Sequence, residues 1–175
     1  MLQRGYGVRT KRDAAGEFIP APHYPFYRQS TAPGGYRALL GMGGNVGDTV
    51  RRFEHLYTFL VKSPLITVLE TSPILRNPPF GYLDQEDFYN AVIDIRTPLR
   101  PMQLLHYVLR VEKYFGRKRS FANAPRTLDI DILFYENRKI DSRRLMLPHP
   151  HWRERDSVIR PLEKMKGTLW LKRHL

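Results

Sequence analysis

Asp129 and Asp131, in the stretch TLDIDILFY (127–135), have the types and spacing to do chemistry. From Thr127 to Leu133 apolar residues alternate with others, the period of a half-buried β-strand. Both carboxylates therefore point to one side of one strand. Asp is depleted in strands, and two adjacent anions repel, so the pair calls for cations. Same-face neighbours stand roughly 6.5 Å apart along a strand. Carboxylates that lean together can bracket two cations about 3.5–4 Å apart. Aspartate oxygens suit Mg²⁺, which takes one or two protein carboxylates and completes its shell with substrate phosphates and water. The plain alternative is a solvated strand face carrying two acids.

The surrounding residues favour the metal. Arg110, Lys113, Arg117, Lys118 and Arg119 precede the pair, Arg126 adjoins it, and Arg138, Lys139, Arg143, Arg144, Arg153 and Arg155 follow. A nucleoside triphosphate could not approach two bare acids: one like-charge pair near 4 Å costs on the order of 4 kcal/mol at an effective dielectric of 20. Metal ions and an arginine cluster remove that obstacle. Phosphoryl chemistry needs positioning, metal and arginine clamps more than covalent groups. Phe88 and Asn90 form a second constellation: a ring that can stack a flat heterocycle, and an amide that can meet its edge with a donor and an acceptor. A Phe packed under a loop and an Asn paired to a neighbouring strand is the simpler reading of these two alone. GGNVGD (43–48) matches neither GxxxxGK[ST] nor GxGxxG, so Gly43 and Gly44 are expected in a tight turn. His149, in LPHPHW, either holds a phosphate or packs against Trp152.

The elements that must position these groups read clearly from Tyr36 onward. A strand over 36–42 leads through the glycine turn to a helix capped by Asp48, with Val50, Phe53, Tyr57 and Leu60 on its apolar face. A second strand spans 65–75, with Pro73 at an edge or bulge, and 77–87 is a loop. A third strand covers 88–97, with Tyr89, Ala91, Ile93 and Ile95 toward the helices and Phe88, Asn90, Val92 and Asp94 on the other side. A helix over 97–116 buries Leu104, Leu105, Val108, Val111 and Phe115, and Gly116 suits its C′ position. The loop 117–126, the Asp-pair strand, a hairpin-like excursion and a last helix over 153–166, interrupted at Pro161, complete the chain. The order β-α-β-β-α-β gives an α+β, ferredoxin-like core, an antiparallel sheet with helices on one face and the other face open. Residues 1–35 mix Pro, Gly, Tyr and basic residues without periodicity. They are expected to form a poorly ordered or surface-draped extension to a single domain over 36–175.

Composition narrows the partners. The 175 residues suffice for one domain with a real core. No apolar run is long enough for a membrane helix, and the N-terminus lacks a signal-peptide h-region. There is no cysteine, which excludes disulfides and thiolate chemistry and suits the cytoplasm, the expected location. A formal net charge of +12 points to polyanionic partners.

APRTLDIDILFY (124–135), GGNVGD (43–48), NPPFGYLDQEDFYNAV (77–92), VEKYFGRKR (111–119), LMLPHP (145–150) and RPLEKM (160–165) together, in this order, resemble the 6-hydroxymethyl-7,8-dihydropterin pyrophosphokinase family of folate biosynthesis. The resemblance runs from about Tyr36 to Met165. It implies a ferredoxin-like core and transfer of pyrophosphate from MgATP to the pterin hydroxymethyl group, with release of AMP. By that resemblance Asp129 and Asp131 hold two Mg²⁺ ions. Arg117 and Arg126 neutralise the transferring phosphates, and Arg119 assists them from the loop. Glu112, Ile132, Arg144, His149 and Arg155 line the nucleotide site. Asn90 reads the pterin edge and Phe88 stacks on it. Asn77, Pro78, Pro79 and Phe80 supply contacts from their turn, and Gly43, Gly44 and Asn45 close over the pterin. The expected partners are ATP and the pterin, and the expected state is a monomer.

The chain also departs from the family pattern. Ser157 stands where a second pterin-sandwiching aromatic is common, which leaves Trp152, Tyr82 or another ring to substitute. Ala122 and Asn123 replace a basic residue and a Trp, in a loop one residue shorter. Asn77 replaces a Thr and Gly44 a Ser. Three other readings compete: a basic nucleic-acid-binding module, a different Mg²⁺-dependent nucleotidyl or sugar transferase using D-x-D, and an inactive relative. Against the first, no RNP1-like string is present and paired acids repel a phosphate backbone.

Overall fold

The computed structural model describes residues 16–29, 34–117, 124–168 and 171. The elements are β1 (Glu17–Ile19), β2 (Phe26–Tyr27), β3 (Tyr36–Gly44), α1 (Thr49–Lys62), β4 (Thr67–Thr71), β5 (Ile74–Asn77), β6 (Phe88–Thr97), α2 (Pro101–Tyr114), β7 (Asp129–Tyr135), β8 (Ile140–Asp141), β9 (Met146–Leu147) and α3 (Asp156–Glu163), with a 3₁₀ turn at Trp152–Glu154. A seven-stranded antiparallel sheet has the order β1-β5-β6-β3-β7. β4 pairs with the half of β6 that β5 leaves open, and β2 pairs with β4. β8 and β9 form a separate hairpin.

The alternation of β6 sorts its side chains as expected. Ala91, Ile93 and Ile95 join Phe53, Leu56, Leu60, Leu104, Val108 and Val111 of α1 and α2 in the larger core. The Ile, Leu, Val and Phe side chains among them, fully buried, each contribute roughly 1.5–3 kcal/mol. The Asp48 carboxylate accepts from the Arg51 N–H at 3.0 Å and caps α1. Pro101 begins α2, where its missing N–H costs nothing, and Gly116 follows the helix with φ +82°.

Several expectations change. The outer face of the sheet is not open: α3 and the turn before it cover part of it, where Trp152, Val158, Leu162 and Met165 pack on Leu39, Val92, Leu133 and Phe134. Asp94, expected on that face, is fully buried and takes the Arg37 guanidinium. Pro161 lies inside α3 without interrupting it. The strand expected over 65–75 is two strands, broken at Ser72-Pro73, and β5 runs on to Asn77.

The N-terminal segment is the largest correction. Residues 16–29 are built into the sheet, not laid on it. Tyr24 is 0% exposed, its hydroxyl donates to the Phe53 carbonyl at 3.0 Å, and its ring meets Phe53 and Tyr57. The segment lacks periodicity because its strands are only two and three residues long. Pro20, Pro22 and Pro25 fall between them, where no ladder N–H is needed.

Candidate active site

The site is assembled on one face of three adjacent strands. Asn90 of β6 pairs with Gly43 of β3, and Gly43 pairs with Asp129 of β7. Directly paired residues present their side chains on one face, and strands lie about 4.8 Å apart. The Asn90 amide and the Asp129 carboxylate thus flank a trough roughly 10 Å wide between strand axes, floored by a residue without a side chain. One step along, Gly41 lies in the same way between Val92 and Asp131.

Gly43 and Gly44 are therefore strand residues, not the tight turn expected of them. Their reason is close approach: a Cβ on Gly43 would stand 2.8 Å from the Asn90 Oδ1, and one on Gly44 2.5 Å from the Thr127 carbonyl oxygen. The turn itself is at 45–48, with Gly47 at φ +68°.

Cations on two sides hold the acids. Asp129 Oδ1 lies 2.6 Å from Arg117 Nη1, and its Oδ2 accepts from Arg126 Nη1 at 3.0 Å. Asp131 Oδ2 accepts from Arg155 Nη1 at 3.3 Å and lies 3.9 Å from His149 Nε2. Arg117 also pairs with Glu112, whose Oε1 accepts the Ile130 N–H at 2.7 Å. Burial, with Asp129 beside it, raises the Asp131 carboxyl above its ordinary range against the pull of His149 and Arg155. Burial pushes Glu112 up to about 7, with the Ile130 N–H and Arg117 opposing. Burial lowers His149, which favours the neutral ring, while Asp131 opposes the shift. Burial pulls the Arg117 guanidinium down, but Asp129 and Glu112 outweigh it and hold the group above its usual value.

The donor set fits Mg²⁺. Two carboxylates share one strand face, their side chains 19% and 40% exposed, beside cations that can pass to incoming phosphate. Among the described residues no cluster of three or more acidic, His or Cys ligands forms a closed metal cage. A magnesium ion sharing its shell with substrate phosphates and water needs no such cage.

On the other wall, Asn90 Nδ2 donates to Asn77 Oδ1 at 2.7 Å, and Asn77 Nδ2 donates to the Pro78 carbonyl at 3.0 Å. Phe88 is 8% exposed, and the group over its ring is the Arg126 guanidinium, 5.0 Å from the centroid. Trp152, expected as one substitute for an aromatic at 157, is buried edge-on against Phe134 and does not serve as one. Tyr82 is exposed in the 78–87 loop, and so is Phe80, at 88%.

Asn45 is a buried connector. Its N–H donates to the Arg126 carbonyl, its Oδ1 accepts the Arg126 N–H, and its Nδ2 donates to Gln85 Oε1 and the Glu86 carbonyl. No local pattern signals Arg52, which reaches back from α1 to donate to the carbonyls of Val46 (2.6 Å) and Thr127 (3.2 Å). Ile132 packs its side chain into the helix-side core, so only its backbone, on edge strand β7, is available to a nucleotide. Arg144 stands exposed between β8 and β9, joined to neither acid. Arg119, Ala122 and Asn123 lie outside the described residues, as does most of the loop 117–126.

Comparison with known proteins gives the family. The model of the 7,8-dihydro-6-hydroxymethylpterin-pyrophosphokinase family matches residues 39–167. A 2-amino-4-hydroxy-6-hydroxymethyldihydropteridine pyrophosphokinase of Campylobacter jejuni is 40% identical over 145 residues, 83% of this chain and 92% of that protein. Proteins of the same name from Helicobacter pylori and Bacillus subtilis are 41% and 34% identical, covering 72% and 73% of this chain and 78% and 77% of their own lengths. Two acids on one strand, their arginines and the Asn90–Gly43–Asp129 row thus lie within the matched span, and the chain belongs to the 7,8-dihydro-6-hydroxymethylpterin-pyrophosphokinase family.

Proposed function

We propose that the protein transfers pyrophosphate from MgATP to 6-hydroxymethyl-7,8-dihydropterin, a step of folate biosynthesis, and releases AMP. The observation that carries this is the row Asn90–Gly43–Asp129. It puts the Asn90 amide, whose oxygen lies over the side-chain-free Gly43, on the same sheet face as the Asp129 carboxylate, which supports a pterin read at Asn90 beside metal and phosphate at Asp129.

In this reading the pterin lies on Phe88 with its edge against Asn90 and Asn77, and its hydroxymethyl group points over Gly43 toward Asp129. Asp129 and Asp131 hold Mg²⁺, with two ions in the full reading. Bound there, the metal neutralises phosphate charge and orients the polyphosphate. With Asp129 so engaged, Arg117 and Arg126 turn from the carboxylate to phosphate oxygens, where a guanidinium fork fits well. Arg155 and His149 lie on the Asp131 side, suited to the nucleotide's remaining phosphate. The pterin hydroxyl oxygen attacks the β-phosphorus, and the bond from that phosphorus to the α,β-bridging oxygen breaks. AMP leaves with the electron pair, and the hydroxyl proton departs to solvent or a carboxylate. Such a transfer needs alignment and charge neutralisation more than a strong base.

The same reading takes β3-α1-β4-β6-α2-β7 as a ferredoxin-like core carrying added strands, and the protein as a cytoplasmic monomer. No helix among the described residues is long and apolar enough to cross a membrane. The test is the mass of the pterin product after incubation with MgATP. A pterin diphosphate is expected, whereas a monophosphate or unchanged pterin contradicts the reading.

A further inference from the structure

We propose that β1, which precedes the span matched by the family model, is a positioning element for the pterin. The inference rests on reading Phe88 and Asn90 as pterin-facing.

The cross-strand row that carries the site does not stop at Asn90. Asn90 pairs with Leu75 of β5, and Leu75 pairs with Phe18 of β1. Phe18 is thus on the same sheet face as Asn90 and Asp129. There it meets α3: the Arg160 guanidinium lies 5.5 Å and the Lys164 ammonium 5.7 Å from its ring centroid. Arg160 Nη2 also donates to the Gly16 carbonyl at 3.5 Å. α3 follows directly on Arg155, which donates to Asp131, and carries Ser157, the position at which the sequence resemblance leads one to expect a second ring.

The residue just before β1 also backs the amide pair. Gly16 has φ +113°, and a Cβ there would lie 2.2 Å from the Arg76 carbonyl oxygen and 3.0 Å from Asn77 Cα. No side chain fits, so the arm presses directly on the backbone of the residue whose Oδ1 holds the Asn90 amide. Glu17 lies 3.7 Å from Arg76 Nη1, and Arg76 Nε donates at 2.9 Å to Asp87, next to Phe88. Gly16 and β1 therefore touch the backing of Asn77 and α3, and reach Asp87 at the end of the 78–87 loop only through Arg76. None of these residues reaches the trough, so their action is through Asn77 and α3. With no second ring at 157, the pterin depends more on how well Phe88, Asn90 and Asn77 are held. The simpler role for β1 is to cover the β5 edge, which would affect stability without singling out one substrate.

The experiment measures KM for pterin and for MgATP, together with Tm, in the full chain carrying Gly16→Ala, Phe18→Ala or Phe18→Tyr. Gly16→Ala is also combined with Asn77→Ala, and Asn90→Ala tests the underlying site. Gly16→Ala and Phe18→Ala are expected to raise the pterin KM about tenfold, the scale of a small misplacement of a binding group. The MgATP KM stays within about twofold, Phe18→Tyr, which keeps the ring, behaves as wild type, and Gly16→Ala adds less than about twofold on top of Asn77→Ala because both act through one contact. An unchanged pterin KM in folded variants, a parallel rise in both KM values, or full additivity with Asn77→Ala overturns the proposal. If Gly16→Ala does not fold, the Phe18 pair decides. A normal pterin KM in Asn90→Ala would instead overturn the site reading on which the proposal stands.

Discussion

Arg126 lies with its guanidinium 5.0 Å over the centroid of the Phe88 ring. Its Nη1 donates at the same time to Asp129 Oδ2 at 3.0 Å. One side chain thus covers the face on which a heterocycle would stack and satisfies the acid that would hold a metal. The two half-sites are linked through it, since a ligand that draws Arg126 onto phosphate uncovers the ring.

That link predicts how substrates influence each other. A non-hydrolysable MgATP analogue should tighten pterin binding to the wild-type protein, and the tightening should disappear in Arg126→Ala. Equal pterin affinity with and without the analogue, read by calorimetry, would contradict it. The same substitution should lower kcat/KM by about 10³-fold or more, as loss of a phosphate-clamping arginine does elsewhere.

Asp129→Asn and Asp131→Asn should each lower kcat by about 10²–10³-fold or more, the scale of losing one preorganised electrostatic group. The fold should survive, because Arg117 keeps Glu112 as a partner and both acids lie partly in solvent. Tm should stay within about 4 °C of wild type, the shift that about 1 kcal/mol produces in a chain of this size. Full activity in the double variant would remove the metal assignment.

The two strand glycines should separate stability from binding. Gly44→Ala drives a methyl into the Thr127 carbonyl at 2.5 Å. That is backbone, which cannot move aside, so a loss of about 1–3 kcal/mol in denaturant unfolding is expected. Gly43→Ala meets only the end of the Asn90 amide. It should cost less stability and raise the pterin KM. If both variants lost stability equally and bound pterin normally, the trough would have no role.

Tyr24 measures how deeply the N-terminal segment is built in. Tyr24→Phe removes one buried hydrogen bond and should cost about 0.5–1.5 kcal/mol. Tyr24→Ala opens the core and should cost about 3–5 kcal/mol. A change within about 0.5 kcal/mol, typical of surface positions, would return residues 16–29 to the surface.

Much of this was legible in the sequence where one rule dominated. The Asp-pair strand and β6 follow period-two alternation, and β6 begins and ends where that pattern does. Asp48 announces α1 as an N-cap, and Gly116 closes α2. What escaped depends on long-range pairing. Gly43 and Gly44 look like turn residues until β3 is seen between β6 and β7, where the glycines admit Asn90 and the Thr127 carbonyl. Residues 16–29 carry no periodic signal because a two-residue strand has none to carry. Asp94 reads as a solvent-facing acid until Arg37 is placed across from it. Arg52 lies on the polar side of an amphipathic helix, and nothing local shows that its guanidinium turns back to two carbonyls.

The most direct test of the central claim is identification of the nucleotide released from MgATP, with and without 6-hydroxymethyl-7,8-dihydropterin. Attack at the β-phosphorus in the Asp129–Gly43–Asn90 trough predicts AMP, formed only when the pterin is present and in equal amount to the pterin diphosphate. ADP as the product would place attack at the γ-phosphorus and contradict the account, as would AMP release that ignores the pterin.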